Sequence, residues 1–179
     1  MNEKQRNILN ATITIIKDHG VERLTLDAAA KEAGISKGGL LYYFPSKDAL
    51  LSGMFHYLND QFNKDMESKV TSLPQQHGKR ARAYLEQVQD DIKVGNNFGQ
   101  ALIAALFANP DLLLQLQEQY KDWQQQIEND GMDIIDATII RLVADGIWFS
   151  EILNLGKLQQ PLLEQVIART LQWTESEDF

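Results

Sequence analysis

The chain has 179 residues, 44 % apolar and 23 % charged, with a formal net charge of −8. That composition is close to the globular average and excludes collagen, a coiled-coil rod and wholesale disorder. A globule of this length buries roughly 70 % of its unfolded surface and needs no staples. With no cysteine in the chain, disulfides, thiolate zinc sites and cysteine nucleophiles are excluded together.

The stretch 8–16 is interrupted by Asn10, Thr12 and Thr14, so it does not read as a signal-peptide core. The longest apolar run, 101–108, has eight residues, against about 20 for a membrane span. A cytoplasmic protein with no membrane partner is expected. A net negative charge argues against nucleic acid, because phosphate contacts dominate DNA affinity. The charge is segregated, however. Residues 1–47 hold seven Lys/Arg and five Asp/Glu, a net of +2, and residues 48–179 carry a net of −10. A slightly basic head on an acidic body is compatible with a head that meets DNA.

Almost every segment shows helical period. Ile8, Leu9, Thr12, Ile15, Ile16 and His19 share one face, and Gly20 is placed to stop that helix. Thr25 suits the cap of a second helix, 26–33, with Asp27 near its positive end. Gly34 ends it, Ser36 caps a third, 37–43, and Pro45 forces Phe44 out of the α region. Ser46 then caps a long fourth helix to about residue 69. The stretch 71–78 holds Pro74 and Gly78 and reads as the main loop. Further helices are predicted near 79–94, 97–108, 110–129, 132–155 and 161–174, with Pro110 and Pro161 in first turns. No strand pattern is present. The fold class is therefore all-α, about nine helices, with a three-helix head and a helical bundle body. The six glutamines in 115–126 read as a solvated helix face.

The informative segment is 25–47, TLDAAAKEAGISKGGLLYYFPSK. Two short helices joined by about three residues at Gly34 form a helix-turn-helix. Ala29, Ala30 and Ala33 are small, so the second helix can pass close to the third, and Ile35 plugs the junction. Projected at about 100° per residue, Leu40 and Phe44 share the inner face, flanked by Leu41. The outer face carries Gly38, Gly39, Tyr42 and, at its edge, Tyr43. Each glycine costs about 1 kcal/mol of helix propensity; missing side chains there let the backbone approach another surface closely. Tyrosines offer hydroxyls to phosphates and ring edges to thymine methyls. Thr25, Ser36, Lys37 and Lys47 lie at helix starts, where phosphate clamps around a groove-reading face would sit.

These residues resemble the N-terminal domain of the TetR/AcrR family of bacterial transcriptional regulators. The resemblance covers residues 3–50 and rests on Leu24-Thr25-Leu26-Asp27, Ala33-Gly34-Ile35-Ser36-Lys37-Gly38, and Leu40-Leu41-Tyr42-Tyr43-Phe44 followed by Pro45-Ser46-Lys47. It implies a DNA-binding domain at 1–46 and an effector-binding and dimerisation domain at 47–179. It implies a homodimer on palindromic double-stranded operator DNA, released by a small-molecule effector, with repression as the default. The alternative is a helical interaction or ligand-binding module without specific DNA binding.

The resemblance places the dimer interface in the last two helices. Leu162, Leu163, Val166, Ile167, Thr170 and Leu171 form a stripe there. The preceding segment carries two stripes, one of Ile135, Ile139, Leu142, Val143 and Gly146 and another of Ala137, Ile140, Ala144, Ile147 and Trp148. A helix apolar nearly all round is buried on both sides, by a bundle interior and by a partner. Effector-pocket candidates are Tyr84, Phe98, Leu102, Phe107, Trp123 and Trp148, since pockets are largely aromatic and apolar; core packing competes with that role for each. Asn97 and Glu151 are candidates to point inward. Arg141 and Asp145 read as an ordinary i, i+4 pair; a carboxylate left unpaired would suit a cationic ligand. His56 and Asp60 are i, i+4, but two ligands are too few for a metal. No nucleophile motif, P-loop or dinucleotide fingerprint occurs. No enzyme activity, cofactor or metal is expected.

Overall fold

The computed structural model describes residues 1–74, 77–93 and 97–175, the side chains of 97 and 98 excepted. The described residues form nine α-helices and one 3₁₀ turn. They are α1 (Glu3–His19), the 3₁₀ turn (Val21–Arg23), α2 (Leu26–Glu32), α3 (Lys37–Tyr43), α4 (Lys47–Ser72), α5 (Lys79–Lys93), α6 (Asn97–Ala108), α7 (Pro110–Glu128), α8 (Ile134–Leu153) and α9 (Gln160–Trp173). The chain packs as two units, Met1–Gln61 with Asn97–Leu116, and Phe62–Asn96 with Gln117–Phe179.

In the first unit the helix ends are set by local chemistry. Asn2 and Gln5 form a reciprocal capping box at the start of α1. The Thr25 hydroxyl accepts from Ala28 N at 3.0 Å, and Ser36 from Gly39 N at 3.1 Å. Gly34, at φ +68°, lets α2 finish in a Schellman turn. Ile35 N donates to Ala30 O at 2.9 Å, and Gly34 N to Lys31 O at 3.1 Å. Asn7 of α1 donates to Ala33 O at 2.9 Å and ties the turn down. Ile8, Leu9, Ile15 and Ile16 of α1 are buried with Leu24, Ala29, Ala30 and Leu40. α1 packs on α2 and α6, and α2 on α3. That packing leaves one side of α3 open.

In the second unit α5 packs on α8 and α9, and α8 on α9. Ala81, Leu85, Val88, Ala137, Ile140, Ala144, Leu163 and Ile167 are buried there. Asp133 caps α8 by accepting from Ile135 N and Asp136 N; with Gly131 just before it at φ +78°, the helix starts at Ile134 rather than 132. Its far end closes on Asn154 in the left-handed region at φ 53°, where Leu155 N reaches back to Ser150 O. The short turn at Val21–Arg23 and the three extra residues of α4 had no counterpart in the predicted pattern.

Candidate functional site

α3 presents the expected face. Leu40 is fully buried and Phe44 nearly so, while Tyr42 is 82 % exposed. Gly38 is exposed, and Gly39 and Tyr43 are partly so. A Cβ on Gly38 would meet nothing within 4 Å, so internal packing does not require glycine at 38. The Tyr42 and Tyr43 rings pack edge to face with centroids 5.0 Å apart. Leu41 lies at the exposed rim. Thr25 is exposed beside this face, with its hydroxyl committed to Ala28 N.

The two lysines do not stand alike. Lys37 Nζ donates to Asp27 Oδ2 at 2.8 Å, an ion pair across the turn with both side chains largely in water. Lys47 Nζ donates to Val21 O at 3.2 Å and is half-buried. The Asp27 pairing escaped the sequence reading because the two residues lie ten apart and meet only once Gly34 has reversed the chain.

In the second unit Tyr84 and Trp123 come together with two residues that periodicity did not single out, Phe62 and Tyr120. Ring centroids are 4.9 Å apart for Phe62–Trp123, 5.1 Å for Tyr120–Trp123, and 5.8 Å for Phe62–Tyr84 and Tyr84–Trp123. Trp123 Nε1 donates to Asn63 Oδ1 at 2.8 Å. Both phenols converge on one carboxylate: Tyr84 OH donates to Asp145 Oδ1 at 2.6 Å and Tyr120 OH at 3.3 Å. Arg141 bridges Asp145 Oδ2 and the side-chain oxygen of Gln124. The expected Arg141–Asp145 pair therefore forms, within a wider network. Burial pushes the Asp145 carboxyl upward against the hydrogen bonds from the tyrosines and the Arg141 charge. Burial and the adjacent carboxylate raise the Tyr84 and Tyr120 phenols, so both keep their protons and act as donors.

The other pocket candidates lie elsewhere. Trp148 is buried, with its ring edge-on to Phe149 at 5.1 Å. Leu102 is buried in the first unit, where Phe107 is 86 % exposed. The Phe98 and Asn97 side chains lie outside the described residues. The Glu151 carboxylate is turned in and paired with Lys157 at 2.7 Å.

The two stripes of α8 separate. Ala137, Ile140, Ala144, Ile147 and Trp148 are buried, whereas Ile135, Ile139, Leu142, Phe149 and Leu153 are exposed along one line, with Gly146 among them. The stripe of α9 divides as well. Leu163, Ile167 and Thr170 are buried within the protomer, Val166 and Leu171 are half-buried, and Leu162 is exposed. Beside α8 lies a hollow of about 310 Å³ lined by Val143, Gly146, Ile147, Ser150, Leu155 and Leu163 among others. The Ser150 hydroxyl is buried there without a hydrogen-bond partner.

Comparison with known proteins bears on both units. Residues 8–54 match the family model described as bacterial regulatory proteins, tetR family. Residues 78–175, more than half of the chain, match the model described as tetracyclin repressor-like, C-terminal domain. The chain belongs to the TetR family. Like other TetR-family proteins it is a DNA-binding transcriptional regulator, with the helix-turn-helix at its N-terminus and a helical C-terminal domain. The HTH-type transcriptional regulator BetI of Escherichia coli O17:K52:H18 is 23 % identical over 171 residues, 89 % of this chain and 87 % of that protein. The HTH-type transcriptional regulator YuxN of Bacillus subtilis is 38 % identical over 61 residues; the match covers 34 % of this chain and 21 % of that longer relative. Among solved structures, a TetR-family regulator from Rhodococcus sp. superimposes with a TM-score of 0.73 at 19 % identity, over 98 % of this chain and all of that one. The multidrug binding protein EbrR complexed with ethidium gives 0.66 at 17 % identity, over 94 % of this chain and 98 % of that one. No described helix of this TetR-family chain is long and apolar enough to cross a membrane.

Proposed function

We propose that the chain is an effector-responsive repressor that binds a palindromic operator as a homodimer. The observation that carries this reading is the outer face of α3, where Gly38 faces open space and Tyr42 is almost wholly in water. A helix serving only its own core gains nothing from either. A face with little bulk, flanked by tyrosine hydroxyls and by Lys37, fits the floor and walls of a DNA major groove. Thr25, Ser36, Lys37 and Lys47 surround it as backbone contacts, and Gly39, Leu41 and Tyr43 border the reading surface.

The effector site is assigned to the second unit, around Tyr84 and Trp123 with Phe62, Tyr120 and Asp145. Four rings offer apolar area, and the shared carboxylate offers a polar anchor that already holds an arginine. The solved multidrug binding protein EbrR has been complexed with ethidium and with malachite green, both aromatic compounds, which favours an aromatic effector here. The dimer contact is assigned to the exposed line on α8 with Leu162 of α9. Apolar side chains at 135, 139, 142, 149 and 153 keep helical spacing from Ile135 to Leu153, more than scattered surface apolar residues explain. A two-fold axis through it would present the same patch on both copies.

Gel shifts with genomic fragments at two salt concentrations test the reading. Specific retardation of a fragment carrying an inverted repeat, relieved by an aromatic effector, supports it. Equal, salt-abolished retardation of all fragments overturns it.

A further inference from the structure

Lys37 is placed among the phosphate contacts above, yet in the free chain its ammonium is already taken. Asp27 Oδ2 sits 2.8 Å from Lys37 Nζ, with side-chain exposures of 68 % and 54 %. Exposed pairs of this kind contribute little to folding. Nor does Asp27 cap α2, because the Thr25 hydroxyl holds the Ala28 amide. Asp27 complements the dipole of α2 from its first turn, but that contribution needs no lysine partner, so the Lys37 pairing itself is left to serve another role.

We propose that Asp27 is a built-in competitor for the DNA backbone at Lys37 and that it suppresses binding to unrelated sequence. A carboxylate is a chemical substitute for a phosphate oxygen at an ammonium. While Asp27 holds Lys37, a passing phosphate must displace a neighbouring charge that is tethered and always present. Once Lys37 turns to phosphate, the Asp27 carboxylate is left beside the polyanion without its counter-charge. Both effects weaken every sequence alike. Only an operator, whose base contacts through the outer face of α3 hold the head in register, supplies enough other contacts to offset them. The head has seven basic side chains against five acidic ones, so one masked lysine is a large share of its surplus. The effect lowers affinity for every sequence by the same factor, so unrelated sequence, held by backbone contacts alone, is released while the operator, held by base contacts as well, stays bound.

The inference rests on the reading that Lys37 meets phosphate, and the test separates the two. Binding of the full chain to a 30-base-pair duplex of random sequence is titrated by fluorescence anisotropy at several salt concentrations. Asp27→Asn is expected to raise affinity at low salt about 3–10-fold and to steepen the salt dependence by about one ion. Asp27→Glu, which keeps the charge, is expected to stay near wild type. In a Lys37→Ala background Asp27→Asn is expected to have much less effect, because its partner is gone. If Lys37→Ala leaves the salt slope unchanged even in the Asp27→Asn background, Lys37 meets no phosphate and the parent reading falls with this one. If Lys37→Ala flattens the slope while Asp27→Asn changes nothing or weakens binding, only the competitor role is overturned. An Asp27→Asn gain that persists undiminished without Lys37 also overturns it, by showing a diffuse charge effect. Circular dichroism on each variant confirms that the head is folded.

Discussion

In the head, Thr25, Ser36 and Ser46 use their hydroxyls on backbone amides at helix starts, and most other polar side chains face water, the buried Thr12 and the half-buried Lys47 excepted. In the second unit the arrangement is reversed. Asp130 is turned inward to accept from the first amides of α5, Arg80 N and Ala81 N. Asp145 gathers two phenols and a guanidinium. Asp91 keeps one oxygen buried without a partner. Burial raises all three carboxyls. A surface built to meet a polyanion keeps its polar groups mobile and solvated. An interior built to hold and release a small molecule keeps them fixed and partly desolvated, where one new contact shifts several others. The exposed side of α8 belongs to neither type, being apolar and outward.

The largest expected effect concerns that third surface. Ile139 and Leu142 are exposed on α8 and contribute little to the protomer core. Ile139→Glu or Leu142→Glu should therefore leave a folded chain that sediments as a monomer. Two linked heads gain avidity of about 10²–10⁴-fold over one, so operator affinity should fall by at least about 100-fold with no DNA-facing residue changed. Sedimentation and gel shift on the same sample check it; a dimeric variant removes α8 from the interface. Leu163 and Ile167 are unsuitable for this test, because both are buried within the protomer and a charge there threatens folding itself.

That distinction marks what could be read from sequence. The bounds of α3 and α6 were legible to the residue, and those of the other helices to within about three, because caps, glycines and prolines act on their immediate neighbours; the start of α1 at Glu3 was the exception, since its apolar face begins only at Ile8. The outward face of α3 was legible for the same reason. Which side of α9 is covered by the protomer was not, since an amphipathic stripe states that it is buried and not against what. The Phe62–Tyr84–Tyr120–Trp123 cluster draws on three helices and has no local signature. Gly53 is a further case. The sequence pattern assigns it no role inside α4, yet a Cβ there would lie 2.5 Å from the Phe44 ring that closes α3.

A second prediction sharpens the contrast between solvated and buried polar groups. Burial, reinforced by Asp65 and Asp90 and opposed by Gln87 and Lys69, raises the Asp91 carboxyl to about 6. A carboxyl raised on folding binds its proton more tightly in the native state. Its effect on stability is absent below pH ~4, where both states are protonated, and grows unfavourable as pH climbs through 6. Asp91→Asn should then stabilise the chain by about 1–3 kcal/mol at pH 7.5, and by much less toward pH 4. Urea unfolding at the two pH values measures it. A variant that gains equally at both would show that charge is not the cause.

On the solvated side, Tyr42→Ala should weaken operator binding by about 1–3 kcal/mol, the range for one good base contact. The melting temperature should hardly change, since the ring is mostly in water and touches chiefly Tyr43. Anisotropy titration against operator and random duplex separates the outcomes. Equal loss on both duplexes would make Tyr42 a backbone contact rather than a reader.

The smallest expected effect is the most discriminating, because it moves stability and function in opposite directions. Gly38 is helical, its φ is not positive, and a Cβ would meet nothing within 4 Å. Alanine there adds helix propensity and removes backbone entropy from the unfolded chain, a gain of about 0.5–1 kcal/mol. If the glycine exists only to ease folding, Gly38→Ala yields a more stable protein that binds DNA as before. If it exists so that the α3 backbone can approach the floor of a groove, the added methyl stands in that approach. The variant then melts higher and binds its operator more weakly. Random duplex, held through the backbone at a greater distance, should be affected less. A thermal melt paired with anisotropy on the two duplexes distinguishes the cases, and a stabilised variant with native operator affinity would end the assignment of that face to close contact.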